Sequence, residues 1–120
     1  MKFVAEVYEP MYDFNEKKYI RVKVPDRIGS IIENMHAKRR HTLKSTHVDD
    51  PLEGSVLKVK VPFRYRRVMC VVEGRPLQTL IRGDEIVIVV DFKGVWHAEN
   101  HCGFSWVLSS STFSSSSSEA

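Results

Sequence analysis

The sequence has few cysteines and no long apolar run. Its 120 residues include two cysteines, Cys70 and Cys102, too few for the disulfide framework of a small secreted domain. The N-terminus lacks the charged start, apolar stretch and cleavage site of a secretory leader. The longest apolar run, Ile86 to Val90, is far shorter than the ~20 residues that span a bilayer. We therefore expect free thiols, no membrane partner and an intracellular location, with nucleus and cytoplasm not distinguished.

Catalytic and metal-binding motifs are also missing. The sequence contains no nucleophile elbow, no phosphate-cradling glycine loop and no His-Glu metal motif. His97, His101 and Cys102 stand close together, but a zinc site would need a fourth ligand and usually a second closely spaced pair. Asp84 fits a turn, and Asp91 a strand end, better than acid–base chemistry. We therefore expect no enzymatic activity, no cofactor and no metal ion.

The composition is that of one modest folded domain with a polar end. Hydrophobic residues make up 42% and charged residues 28% of the chain, as in ordinary globular proteins. The last twelve residues, 109–120, contain eight serines. Such a segment buries too little apolar surface to offset the conformational entropy that it would lose on folding. We predict a single domain over residues 1–108 and a disordered tail over 109–120. A net charge of +3 and a pI near 9.0 favour a polyanionic partner only where the cations cluster.

Apolar periodicity predicts a mainly β fold with one helix. Alternation from Lys2 to Tyr8 and from Lys18 to Val24, around a turn, predicts a hairpin. After Pro25, spacing of i, i+3, i+4, i+7 predicts a helix over about residues 26–40, with an inner face of Ile28, Ile31, Ile32 and Met35. Short strands, regular turns and one helix favour a small barrel. The further extended segments are expected at residues 55–61, 65–72, 85–92 and 102–108.

The most informative segment is Lys58 to Arg67, which carries cations and rings without an acidic residue. Single-stranded nucleic acid is a polyanion whose bases also need stacking surfaces, so interleaved cations and rings suit it. The segment equally fits an edge strand that lysine and proline protect against pairing. Its members are Lys58, Lys60, Arg64, Arg66 and Arg67, with Phe63 and Tyr65 as the rings.

Two further features could extend such a surface. Trp96 lies beside Gly94 and a polar loop, which favours exposure of its ring, whereas Phe92 and Phe104 fit a core. All candidate stacking rings fall between residues 63 and 106. Three cations end the predicted helix, where the helix dipole favours positive charge and where phosphate contact is the alternative; they are Lys38, Arg39 and Arg40.

Four short segments in the second half carry a family resemblance. Residues 61–67 read Val-Pro-Phe-Arg-Tyr-Arg-Arg, and residues 80–86 read Leu-Ile-Arg-Gly-Asp-Glu-Ile. Residues 92–96, Phe-Lys-Gly-Val-Trp, precede Cys-Gly-Phe-Ser-Trp at 102–106. Over about residues 59–108 the chain resembles the single-stranded DNA-binding proteins of large DNA viruses and their relatives, which are OB-fold proteins. The resemblance implies an OB-like barrel that coats exposed strands during replication or recombination, with the basic segment and Trp96 along its groove.

These observations together predict an OB-like barrel that binds single-stranded DNA with little sequence preference. RNA binding stays open, as does a protein-interaction or virion structural module whose basic strand meets an acidic partner or another subunit. Homo-oligomers and contacts with replication proteins are also compatible with the sequence. The predicted phosphate contacts are Lys58, Lys60, Arg64, Arg66 and Arg67; Tyr65 and Trp96 would stack on bases, and Lys38, Arg39 and Arg40 would extend the track.

Overall fold

The structure, a computed structural model, describes residues 1–14, 16–43 and 47–113. These ranges contain one α-helix, α1 (Asp26–Ala37), and two short 3-10 helices, at Arg40–Thr42 and Leu77–Thr79. No helix among them is long and apolar enough to cross a membrane. The strands are β1 (Lys2–Phe14), β2 (Lys17–Lys23), β3 (Val48–Asp49), β4 (Leu52–Glu53), β5 (Val56–Val61), β6 (Phe63–Arg64), β7 (Arg67–Val68), β8 (Val71–Glu73), β9 (Glu85–His97) and β10 (Cys102–Thr112).

Five of these strands close into a barrel. The strand β1 pairs antiparallel with β2 and β9, β2 pairs with β5, and β9 pairs with β10. The ring closes where Val107 of β10 lies parallel to Lys60 of β5. Around the barrel the strands are therefore ordered β1, β2, β5, β10 and β9. If the five barrel strands are counted along the chain, this order is 1-2-3-5-4. This closed five-stranded barrel with one helix confirms the predicted mainly β, OB-like fold.

The barrel core comes largely from alternation of inward apolar residues with outward residues along the barrel strands. In β1, Phe3, Ala5 and Val7 are buried while the residues between them face outward. In the same way β10 turns Trp106 and Leu108 inward. Full burial of one such aliphatic side chain contributes about 1.5–3 kcal/mol, so the alternation specifies the strand register as well as the fold.

The buried face of α1 is only partly the predicted one. Ile28 and Ile32 join the core as expected, but Ile31 is 41% exposed. The next buried position, one turn beyond Ile32, belongs to His36. The helix also ends earlier than the predicted residue 40, because after Ala37 the chain turns into the separate 3-10 segment Arg40–Thr42.

Residues 65–72 do not form the predicted continuous extended run. Instead β6 and β7 pair as a small hairpin whose turn is Tyr65-Arg66. The amide of Met69 donates to the carbonyl of Pro62 at 2.8 Å and closes the base of this hairpin. Because Pro62 has no amide hydrogen to continue the β5 ladder, the chain leaves the barrel at this point.

The last strand is longer than predicted, so the boundary at residue 108 is wrong. The strand β10 continues through Thr112, and Ser110 and Ser111 pair with β9 on one side and β8 on the other. These ladders satisfy the backbone polar groups of a serine-rich segment, and Ser111 is buried. The rest of the predicted disordered tail, residues 114–120, lies outside the described residues.

Candidate nucleic-acid interface

A groove of about 520 Å³ crosses the outer face of the barrel between two hairpins. Its floor comes from β2, β5 and β10, and its two ends come from the β1–β2 and β9–β10 hairpins. In β5 the side chains of Leu57, Val59 and Val61 point inward, so Lys58 and Lys60 point outward into the groove. The lining includes Phe14, Lys17, Tyr19, Asp49, Lys58, Lys60, Trp96, His101, Phe104 and Trp106.

Trp96 is held at one end of the groove, half-buried, by its neighbour across the ladder. That neighbour is Gly103. A Cβ atom at residue 103 would lie 2.8 Å from Cζ2 of Trp96 and 2.5 Å from the Asp49 carbonyl oxygen. Glycine is therefore required for the indole to pack against β10. His101 contacts the ring edge-on, with 5.1 Å between ring centroids, so the indole is fixed while part of it faces the groove.

Tyr19 and Phe14 are groove residues outside the aromatic set that the sequence predicted between residues 63 and 106. The ring centroid of Tyr19 lies 6.4 Å from that of Phe14 and 5.2 Å from Nζ of Lys58. Burial raises the pKa of Tyr19, and Asp49 raises it further, so its phenol is neutral at physiological pH. The sequence of β2 does indicate an outward position for Tyr19, because alternation along the strand turns its neighbour Ile20 inward.

The cations of the groove differ in how far the protein neutralises them. Nζ of Lys58 lies 3.4 Å from Oδ2 of Asp49, so this predicted phosphate ligand already has a carboxylate partner. Lys17 and Lys60 take part in no ion pair with another described residue. Lys60 and Lys17 are therefore the groove cations with the most unneutralised charge.

The β6–β7 hairpin presents the other predicted residues outside this groove. Tyr65 is 82% exposed at its tip, and Arg64, Arg66 and Arg67 are exposed around it. None of the three arginines has an ion-pair partner in the described ranges. Tyr65 and Arg66 both have positive φ, 51° and 64°, which costs a non-glycine residue about 1–2 kcal/mol.

The cluster Lys38, Arg39 and Arg40 lies apart from the groove lining. The Arg39 guanidinium packs over the ring of Phe92, at 4.7 Å from the centroid, and donates to the Met35 carbonyl at 3.0 Å. Nη2 of Arg40 lies 3.6 Å from the Asp50 carboxylate. Two of these three cationic side chains therefore have partners within the protein, and the exposed Lys38 ammonium has no ion-pair partner among the described residues.

A buried histidine supports the groove from behind. The indole Nε1 of Trp106 donates to Nε2 of His36 at 3.0 Å, and Nδ1 of His36 lies 3.2 Å from Oδ1 of Asp50. Since the indole can only donate, Nε2 is the acceptor and the proton lies on Nδ1, so His36 is neutral. Burial lowers its pKa from the usual 6.5, with Arg40 and Arg39 acting in the same direction and Asp50 opposing them.

The His36 ring also stacks on Phe104, with 4.0 Å between ring centroids and 3° between planes. Phe104 and Trp106 lie beneath the groove wall and are nearly fully buried, so His36 supports that wall from the core side. The sequence did contain a signal, because the i+4 spacing from Ile28 and Ile32 places His36 on the same helix face, but the predicted face ended at Met35.

Comparison with family models, with curated proteins and with solved structures finds no match for this chain. Within the described ranges, no three His, Cys, Asp or Glu side chains come together as a metal-binding group. Function must therefore be inferred from the shape, charge and rings of the groove and the hairpin.

Proposed function

We propose that the protein binds single-stranded DNA along this groove, with little sequence preference, and coats exposed strands during replication or recombination. The observation that carries the proposal is the position of the groove on the barrel. It lies on the second and third barrel strands, β2 and β5, and is flanked by the hairpins β1–β2 and β9–β10. The corresponding face and loops of OB-folds bind oligonucleotides.

The chemistry of the lining suits a strand whose bases are unpaired. Lys17 and Lys60 would neutralise phosphates, which any sequence offers. Trp96 and Tyr19 would stack on bases, at about 1–3 kcal/mol per base and without selecting one. The resemblance of residues 59–108 to viral single-stranded DNA-binding proteins supports DNA as the ligand and replication as the setting.

The proposal is tested by titrating a labelled thymidine oligonucleotide of about 20 nucleotides and following fluorescence anisotropy. We expect a micromolar or tighter Kd at low salt. If Lys17 and Lys60 each contact a phosphate, these two groove contacts give a slope of log K against log salt of about −1.4, or two times about −0.7. Absent or salt-insensitive binding would contradict the proposal.

Two additional measurements separate the alternatives. A matched uridine oligonucleotide that competes better than thymidine would reassign the ligand to RNA. Self-association in sedimentation, without affinity for either oligonucleotide, would favour a protein-interaction or virion structural module.

Trp96 is expected to report binding directly. The chain has two tryptophans, and Trp106 is buried and bonded to His36, so quenching by DNA should come from Trp96. Trp96→Phe should keep most of the affinity and lose the quenching, whereas Trp96→Ala should bind about tenfold more weakly. Quenching that persists in Trp96→Phe would show that its ring does not contact DNA.

A further inference from the structure

The turn of the β6–β7 hairpin has an unfavourable sequence for its conformation. Arg64 pairs with Arg67, which leaves Tyr65 and Arg66 as a two-residue turn in which both φ angles are positive. Such a turn belongs to the type I′ class, which favours Asn-Gly because these residues tolerate positive φ. Backbone strain of this kind clusters at active sites, ligand-binding sites and switch regions.

The side chains at this tip suit a polyanion with exposed rings. Tyr65 is the most exposed large apolar side chain in the described part of the protein. Three arginines surround it without carboxylate partners among the described residues. Tyrosine and arginine are enriched at protein interfaces as well, so what favours nucleic acid at this tip is its connection to the groove.

The hairpin is connected to the groove through Lys60. A second cleft of about 460 Å³ lies beside the groove and is lined by Lys60, Phe63, Arg64 and Met69 together with Pro62 and Val107. Lys60 lines both cavities. From Lys60 to Arg64 the chain spans at most ~14 Å, so a strand that leaves the groove over Lys60 reaches the hairpin within a few nucleotides.

We infer that the hairpin tip is a second contact site for single-stranded nucleic acid, outside the groove and reached only by longer strands. This inference rests on the proposed function. Tyr65 stacks on a base, and Arg64, Arg66 and Arg67 hold the adjoining phosphates. The strained turn is retained because Asn-Gly, which would relax it, could not make these contacts.

The experiment compares the wild type with the double variant Tyr65→Asn, Arg66→Gly on thymidine oligonucleotides of about 6 and about 20 nucleotides. Because Asn-Gly relaxes the turn, the melting temperature should rise by several degrees. Affinity for the longer oligonucleotide should fall about tenfold, and affinity for the shorter one should stay within about twofold. Lys2→Asn is the control for the lost positive charge, since Lys2 is exposed and lines neither cavity; it should leave affinity for both lengths within about twofold.

Each outcome decides the inference. Unchanged affinity for the longer strand would overturn it, as would equal losses for both lengths, which would place the tip in the groove site. A change in self-association with oligonucleotide affinity intact would make the hairpin a protein contact instead. A wild type that binds neither length would overturn the proposed function itself, whereas the other results leave that function standing.

Discussion

His36→Ala is expected to lower the free energy of unfolding by about 3–5 kcal/mol, because it opens a cavity and leaves a buried donor unpaired. The imidazole accepts the indole hydrogen of Trp106, contacts the Asp50 carboxylate and stacks on Phe104. Removing it leaves the Trp106 N–H without an acceptor in the protein interior. Urea denaturation followed by circular dichroism measures the loss.

His41→Ala is the matched control, since His41 is exposed and follows α1 by only four residues. It should change stability by no more than about 0.5 kcal/mol. If His36→Ala cost as little as His41→Ala, the bond between His36 and Trp106 would not contribute to the fold.

The same histidine sets a pH dependence. Its pKa is lowered on folding, so below pH 6.5 the unfolded state binds a proton that the folded state resists. The stability from His36 is therefore complete above about pH 6.5 and declines as the pH falls, by at most about 1.4 kcal/mol per pH unit. Denaturation of wild type and His36→Ala between pH 5 and pH 8, on the order of half-unit steps, should show profiles that converge toward acid.

The second large effect is expected on binding. Replacing Lys17 and Lys60 together by glutamate should weaken single-stranded DNA binding about a hundredfold at low salt, because two phosphate contacts are lost and two repulsions are added. Both lysines line the groove and neither has an ion-pair partner among the described residues. The salt slope should become shallower by about 1.4, or two times about 0.7.

Lys2→Glu combined with Lys23→Glu controls for net charge. Both lysines are exposed on β1 and β2, and neither lines the groove. The control changes the net charge by the same amount and should reduce affinity only a few-fold, through the long-range field. Equal losses in the two double variants would mean that general charge, and not the groove, accounts for binding.

Local patterns in the sequence predicted the barrel well. Alternation in β1, β2 and β5 was read correctly because each of these strands buries one face. The outward positions of Lys58 and Lys60 followed from the same rule. The length of β10 was not predicted, because its serines are held by ladders to both β8 and β9 and not by an apolar pattern.

The remaining site features depend on which side chains meet in the folded barrel, and the alternation pattern does not specify these contacts. Alternation assigns Lys58 and Trp96 to a face of the barrel, but it does not indicate that Lys58 pairs with Asp49 or that Trp96 packs against Gly103. His36 lies 70 residues from Trp106, so only the folded barrel reveals its role. The turn at Tyr65-Arg66 was missed because neither residue is typical of a turn with positive φ.

The pairing of β1 with β9 also determines when the protein can fold during its synthesis. Phe3 lies opposite Ile88, 85 residues later in the chain, taking 88 minus 3. At about 5–20 residues per second, a ribosome needs roughly 4–17 s to add that length. During this interval the β1–β2 hairpin can form, but the side of β1 that β9 will cover has no partner. Pairings this distant also slow folding itself, and the unpaired edge of β1 stays open to mispairing until the barrel closes.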